Sequence, residues 1–219
     1  MANFFPRWTN WLPLKIVVCG GVLSVAVSAA VTYYFTPKYT NIGYQPNQPV
    51  PFSHAIHAGQ LGMDCRYCHS FVEVAAHSNV PNSQVCMNCH SQVQKDNPKL
   101  AALRASWDSN NLPVNWVQIH KTPDYVYFNH SVHVNRGVSC VSCHGRIDKV
   151  EVVAQEKPLS MGWCLDCHRA PETALRPQKD VFNLGWQPPA GMTQHEIGLK
   201  IKNEAKINPP DTNCWGCHR

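Results

Sequence analysis

Ten of the eleven cysteines fall into five copies of one pentapeptide: Cys65-Arg-Tyr-Cys68-His69, Cys86-Met-Asn-Cys89-His90, Cys140-Val-Ser-Cys143-His144, Cys164-Leu-Asp-Cys167-His168 and Cys214-Trp-Gly-Cys217-His218. A shuffled chain of this composition would contain about 0.03 copies of Cys-x-x-Cys-His, the signature of covalent haem attachment. The spacing has a mechanical reason. Residues i and i+3 share a helical face, so both sulfurs reach the two vinyl groups along one porphyrin edge, and the next residue, His69, His90, His144, His168 or His218, faces the iron as proximal ligand. Zinc knuckles also use Cys-x-x-Cys, but in pairs and without a histidine after every second cysteine. An odd number of knuckles, each ending in His, does not fit zinc. A disulfide framework explains neither the repetition nor the histidines.

The composition agrees with this reading. The chain has 219 residues with 12 His and 17 Pro, and every histidine lies beyond residue 53. Nineteen Lys and Arg against fourteen Asp and Glu leave a formal charge of +5, yet no basic run is interleaved with aromatics, which excludes a nucleic-acid surface. The uncharged run Ile16 to Phe35, IVVCGGVLSVAVSAAVTYYF, would span ~30 Å as a helix, the thickness of a bilayer core. Arg7 and Lys15 precede it and Lys38 follows, while Trp8 and Trp11 at one end and Tyr33, Tyr34 and Phe35 at the other form candidate aromatic belts. An uncleaved single-pass anchor is expected, with the N-terminus cytoplasmic and the haem domain extracytoplasmic, on the periplasmic side. Cleavage after the imperfect small-residue site Val27-Ser28-Ala29 is the competing reading. Cys19, within the span, reads as a small packing residue.

Seven segments follow. Residues 1–15 are the cytoplasmic N-terminal segment, 16–35 the transmembrane helix and 36–51 a Pro-rich stalk. Residues 52–97 form a first two-haem module, 98–127 a connecting helix and strands, 128–180 a second two-haem module and 181–219 a C-terminal single-haem segment. The modules are an internal duplication: Phe52-Ser-His54-Ala-Ile-His57 leads into the first motif and Phe128-Asn-His130-Ser-Val-His133 into the third. A helix should start at Asn97-Pro98 and run to Trp107. Another should be capped by Thr193 and Glu196, with Ile197, Ile201 and Ala205 on one face. WVQIH at 116–120, YVYF at 125–128 and residues 150–153 read as short strands. The expected fold is therefore a multihaem cytochrome c, mostly irregular, with short α-helices and few short strands wrapped around five haems, plus one N-terminal transmembrane helix.

Seven histidines remain for the distal positions. His54, His57, His130 and His133 of the duplicated motifs lead, each pair on one helical turn so that two haems come into near contact. His120, between an apolar run and Thr122-Pro123, follows. His77 and His195 read as solvent-facing, and Met161 is an alternative thioether ligand. Met63, Met87 and Met192 read as packing residues.

The stretch Trp116 to Pro171, WVQIHKTPDYVYFNHSVHVNRGVSCVSCHGRIDKVEVVAQEKPLSMGWCLDCHRAP, together with VCMNCHSQV at 85–93, resembles the membrane-anchored pentahaem cytochrome subunit of alternative complex III. The paired-histidine modules resemble the broader class III multihaem cytochromes. The likeness covers nearly all of residues 52–180 and weakens in the last forty. It implies a non-catalytic subunit of the cytoplasmic membrane with five covalent haems c. Electrons would come from an iron-sulfur partner beside polytopic quinol-site membrane subunits and leave through a monohaem cytochrome or a soluble carrier. It also implies distal ligation by His54, His57, His120, His130 and His133. A NapC-type quinol dehydrogenase cytochrome is the alternative, but there the first motif lies close to the membrane and a Met follows its His; here 29 residues separate Phe35 from Cys65, and Ser70-Phe71 follows His69.

Overall fold

The computed structural model describes residues 5–35, 41–110 and 112–218. It divides into two units, residues 1–42 and residues 43–219. The first unit is one helix, Leu12–Phe35, entered through a 3-10 turn, Arg7–Trp11. The helix starts ahead of the uncharged run because Pro13 sits in its first turn, where no backbone N–H is needed. Its side chains are exposed from Leu12 to Tyr34, and it is long and apolar enough to cross a membrane.

The second unit is a chain of short helices joined by irregular segments. Each Cys-x-x-Cys-His motif lies in such a helix: Cys65–Cys68, Ser83–His90, Cys140–His144, Met161–Arg169 and Cys214–Cys217. Polar residues start them. Asp64 accepts from Arg66 N, Asn82 from Val85 N, Ser160 from Trp163 N and Asn213 from Gly216 N, each satisfying a donor the first turn leaves open. The helix expected after Asn97 is present as a 3-10 turn, Pro98–Leu100, that continues into Ala101–Asp108, with Leu103 buried.

The expected strands are not a sheet. Among the described residues the only bridges are Val126–His218 and Val138–Leu175. The β-prone runs are irregular, with a turn at Tyr125 and bends at His120, Glu151 and Val152, and single groups use up their hydrogen bonds, so no ladder accumulates. Val117 N donates to the Gln48 side-chain oxygen at 2.9 Å, and the Gln48 amide returns a bond to Val117 O at 2.8 Å. Ala55 N donates to Val150 O at 3.1 Å, and the Gln45 amide donates to Val152 O at 3.0 Å. Residues 36–40 of the expected stalk lie outside the described residues. From Gly43 onward it is held to the second unit, since Gly43 N donates to Gln155 O, Gln155 N donates to Tyr44 O and Val50 is buried.

The terminal helix, Gln194–Glu204, has the capping box the sequence encodes. Ile197 and Gly198 are its buried residues and Ile201 is half-buried; Ala205, expected on that face, is the exposed C-cap. The helix packs on the turn Pro171–Thr173 that follows the fourth motif. Lys202 Nζ holds the Glu172 carboxylate at 3.0 Å, and a Cβ on Gly198 would collide with the Glu172 backbone. Gly198→Ala should therefore cost about 1–3 kcal/mol by overpacking. In the haem-loaded chain this should lower the thermal midpoint and loosen the terminal helix to proteolysis; an unchanged midpoint would show that the contact yields freely.

Candidate metal centres

Each duplicated Phe-x-His-x-x-His segment folds into one turn, the first as a π-turn, Ala55–Gln60, with His54 at its cap, the second as the helix His130–Asn135. The two copies match in their details. Ser53 Oγ accepts from Ile56 N at 3.1 Å, and Asn129 Oδ1 accepts from Val132 N at 3.4 Å. The Phe52 ring stands edge-on to His54, with centroids 4.8 Å apart at 84°, and stacks on His57 at 4.4 Å and 23°. Phe128 does the same with His130, 4.8 Å at 86°, and His133, 4.6 Å at 29°. The phenylalanine thus fixes both imidazole planes of its pair.

The ring nitrogens are assigned by their partners. A carbonyl only accepts, so an Nδ1 beside one carries the proton and leaves Nε2 free to coordinate. His57 Nδ1 donates to Ser53 O at 2.8 Å and His133 Nδ1 to Asn129 O at 2.7 Å, each back onto its own turn. Among the motif histidines, His69 donates to Asn79 O at 2.6 Å, His90 to Val93 O at 2.9 Å, His168 to Asp211 O at 2.7 Å and His218 to Tyr125 O at 3.3 Å. His130 donates to Ala76 O at 2.9 Å, which ties the second module to the first. His54 is different: its Nδ1 is buried without a hydrogen-bond partner among the described residues.

Two histidine pairs stand across a gap. The ring centroids of His57 and His90 are 6.1 Å apart, and those of His133 and His168 are 6.2 Å apart. A metal bonded at roughly 2 Å to one nitrogen of each ring, with each ring centre about 1 Å further on, requires about this separation. In both modules the second histidine of the Phe-x-His-x-x-His segment faces the second attachment motif. His120 meets His144 directly instead, with 3.3 Å between His144 Nδ1 and His120 Nε2 and centroids 4.3 Å apart. That pair would have to open by about 2 Å to admit a metal between the rings. His54 lies near His69, and burial, then the His69 and His57 charges, push its pKa down to about 4. Burial, followed by His120 and other imidazoles, pushes His144 to about 3. It also lowers His120, His130 and His133. All of these are neutral at pH 7, the form that ligates iron.

The remaining sequence candidates are placed as follows. His77 and His195 are exposed. Met161 is exposed at the start of its helix, while His133 stands opposite His168 of that same helix. Met63 and Met87 are half-buried and Met192 is exposed. The ten motif cysteines are unpaired thiols, two on one turn in every motif. Beside Cys65 opens a cavity of about 940 Å³, bordered by Arg66, Arg146 and Lys179 and equally by Asp64, Glu73 and Asp148; Arg66 is paired with Asp64 and Glu73, and Arg146 with Asp148. The donor set fits haem c: paired thiols at i and i+3, an imidazole after each pair, four of the five held through Nδ1 by a backbone carbonyl with Nε2 free, and, in His57–His90 and His133–His168, rings spaced for one atom between them. The carbonyls of Ala76, Asn79, Val93, Tyr125 and Asp211 that orient the imidazoles carry no side-chain signal. Only Ser53 and Asn129, four residues before His57 and His133, have a spacing that could have revealed them.

The family described as cytochrome c7 and related cytochrome c matches residues 50–108 and 126–219. A relative from Nitratidesulfovibrio vulgaris (strain Hildenborough), the menaquinone reductase multiheme cytochrome c subunit, is 33% identical over 128 residues. The aligned part is 58% of this chain and 60% of that protein, so the chain spans less than two thirds of the relative's length. The family match contains all five motifs and both paired-histidine turns, and His120 falls in the gap between its two parts.

Proposed function

The chain belongs to the cytochrome c7 and related cytochrome c family, and on that footing we propose that it holds five covalent haems c and relays electrons as a membrane-anchored subunit of a quinol-oxidising complex of the alternative complex III type. Haem supplies one-electron exchange between ferric and ferrous iron. The chain's own part is attachment and orientation. Cys65, Cys68, Cys86, Cys89, Cys140, Cys143, Cys164, Cys167, Cys214 and Cys217 attach the haems, and His69, His90, His144, His168 and His218 are the proximal ligands. His57 and His133 are the distal ligands opposite His90 and His168, and His54, His120 and His130 serve the other irons. The observation that carries this reading is the recurrence, in both modules, of one Phe-His-His arrangement that ends in a ring pair spaced for a single metal.

The helix Leu12–Phe35 anchors the subunit with its N-terminus cytoplasmic and the haem unit periplasmic. It has no Asp, Glu, His, Lys or Arg between Ile16 and Phe35 that could take a proton from quinol, so the quinol site belongs to polytopic partners. An iron-sulfur subunit delivers electrons and a monohaem cytochrome or soluble carrier receives them. A second reading, favoured by the relative's name, runs the same relay toward menaquinone. The isolated, haem-loaded chain in detergent should show five haems by intact mass and no zinc. It should accept electrons from a chemical reductant but not from a quinol analogue at a catalytically useful rate. Direct turnover of quinol would replace the relay with a NapC-type dehydrogenase, and fewer than five haems would show a motif unused.

A further inference from the structure

The five attachment motifs touch one another in a particular order. Asn88 Nδ2 of the second motif donates to Tyr67 Oη of the first at 3.1 Å. The first motif meets the third where the side chains of Cys65 and Cys140 adjoin. The same seam is closed by Ala55 N donating to Val150 O and His130 Nδ1 donating to Ala76 O. The third motif meets the fourth. The turn carrying His133, which faces His168, is bonded through Val138 N to His133 O just before Cys140. Cys143 is half-buried near Cys164 and Cys167 of the fourth motif. The fourth meets the fifth, because His168 Nδ1 donates to Asp211 O and Asp211 packs on Gly216 between Cys214 and Cys217.

Exposure gives an independent observation. Of the ten motif cysteines, only Cys89 and Cys214 are exposed, one in the second motif and one in the fifth. No residue of the third motif is exposed, from Cys140 to His144.

We infer that the motifs form a single file in the order second, first, third, fourth, fifth, and that electrons pass between this chain and other redox groups at its two ends, Cys86–His90 and Cys214–His218. The inference rests on the proposed five-haem relay. The third motif, mid-chain in sequence, is the interior link that joins the two modules, and the order is not the order of the sequence.

Proton NMR of the fully reduced, diamagnetic full chain in detergent micelles tests this, with each haem assigned through its thioether bridges. Interhaem Overhauser contacts are expected for second with first, first with third, third with fourth and fourth with fifth. A soluble gadolinium chelate should broaden the haem edges of the second and fifth motifs several-fold more than those of the third. Contacts joining the second motif to the fourth or fifth, or the first to the fifth, would overturn the single file. Strongest broadening at the third would overturn the assignment of the ends. An intact mass with fewer than five haems would count against the haem complement alone, while contacts among the loaded motifs would still decide the order.

Discussion

Replacing His133 by alanine should convert one iron of the five, and only one, from low-spin to high-spin, and that iron should bind carbon monoxide when reduced. The reason is geometric. His133 is locked from two sides, with Phe128 stacked on its ring at 4.6 Å and its Nδ1 proton given to Asn129 O at 2.7 Å, and its centroid lies 6.2 Å from that of His168. Among the described residues His133 is the imidazole that stands across that gap from His168, and Met161 is exposed at the helix start. His57→Ala should do the same at the iron of His90, and the double variant should leave two irons in five high-spin. The intact mass should be unchanged in all three, because the cysteines still hold the haems. His77→Ala and His195→Ala, which alter exposed side chains, should leave the spectrum as it is. An unaltered low-spin spectrum in His133→Ala, with full haem content, would show that the gap is bridged by another ligand.

What the sequence reveals here and what it conceals follow from how local each cause is. The attachment motifs are local: both thiols and the histidine lie within five residues, and an Asp, Asn or Ser just ahead starts the helix that positions them. The duplicated Phe-x-His-x-x-His turns are equally legible, since one phenylalanine orders both rings. The terminal helix could be read down to its capping box. The failures are where a distant partner decides. The runs at 116–120, 125–128 and 150–153 have strand composition, but a strand exists only if another lies beside it. Here the Gln48 amide and the backbone of Ala55 and Cys217 take those positions. The histidine pairings were closed to sequence reasoning for the same reason. Nothing in the 32 residues between His57 and His90, or the 34 between His133 and His168, signals that these rings will face one another.

The chain made without haem attachment, as by synthesis in the cytoplasm, should have no cooperative fold in its second unit. The buried apolar side chains of the described residues are only nine: Val50, Val72, Leu103, Val134, Pro171, Leu175, Val181, Leu184 and Ile197. Three of them, Val72, Val134 and Val181, form a cluster that Phe182 joins from its edge. Burying each such side chain contributes about 1.5–3 kcal/mol, while fixing the backbone of every ordered residue costs about 1–2 kcal/mol. So few cannot order a unit of this length. Hydrogen bonds do not fill the gap, because each contributes only about 0.5–1.5 kcal/mol net, and the short helices fall below the length at which a helix is stable alone. Macrocycles tethered at ten cysteines and ligated by histidines from distant turns would supply both the apolar core and the cross-links. The haem-free chain should accordingly show a broad, non-cooperative thermal profile by circular dichroism and rapid proteolysis from Gly43 onward, whereas the loaded chain should melt sharply and resist cleavage. The helix Leu12–Phe35, satisfied by its own backbone, should persist in detergent in both forms. A sharp cooperative transition in the haem-free second unit would show that the polypeptide is its own core, and would remove the physical reason for the placement of its histidines.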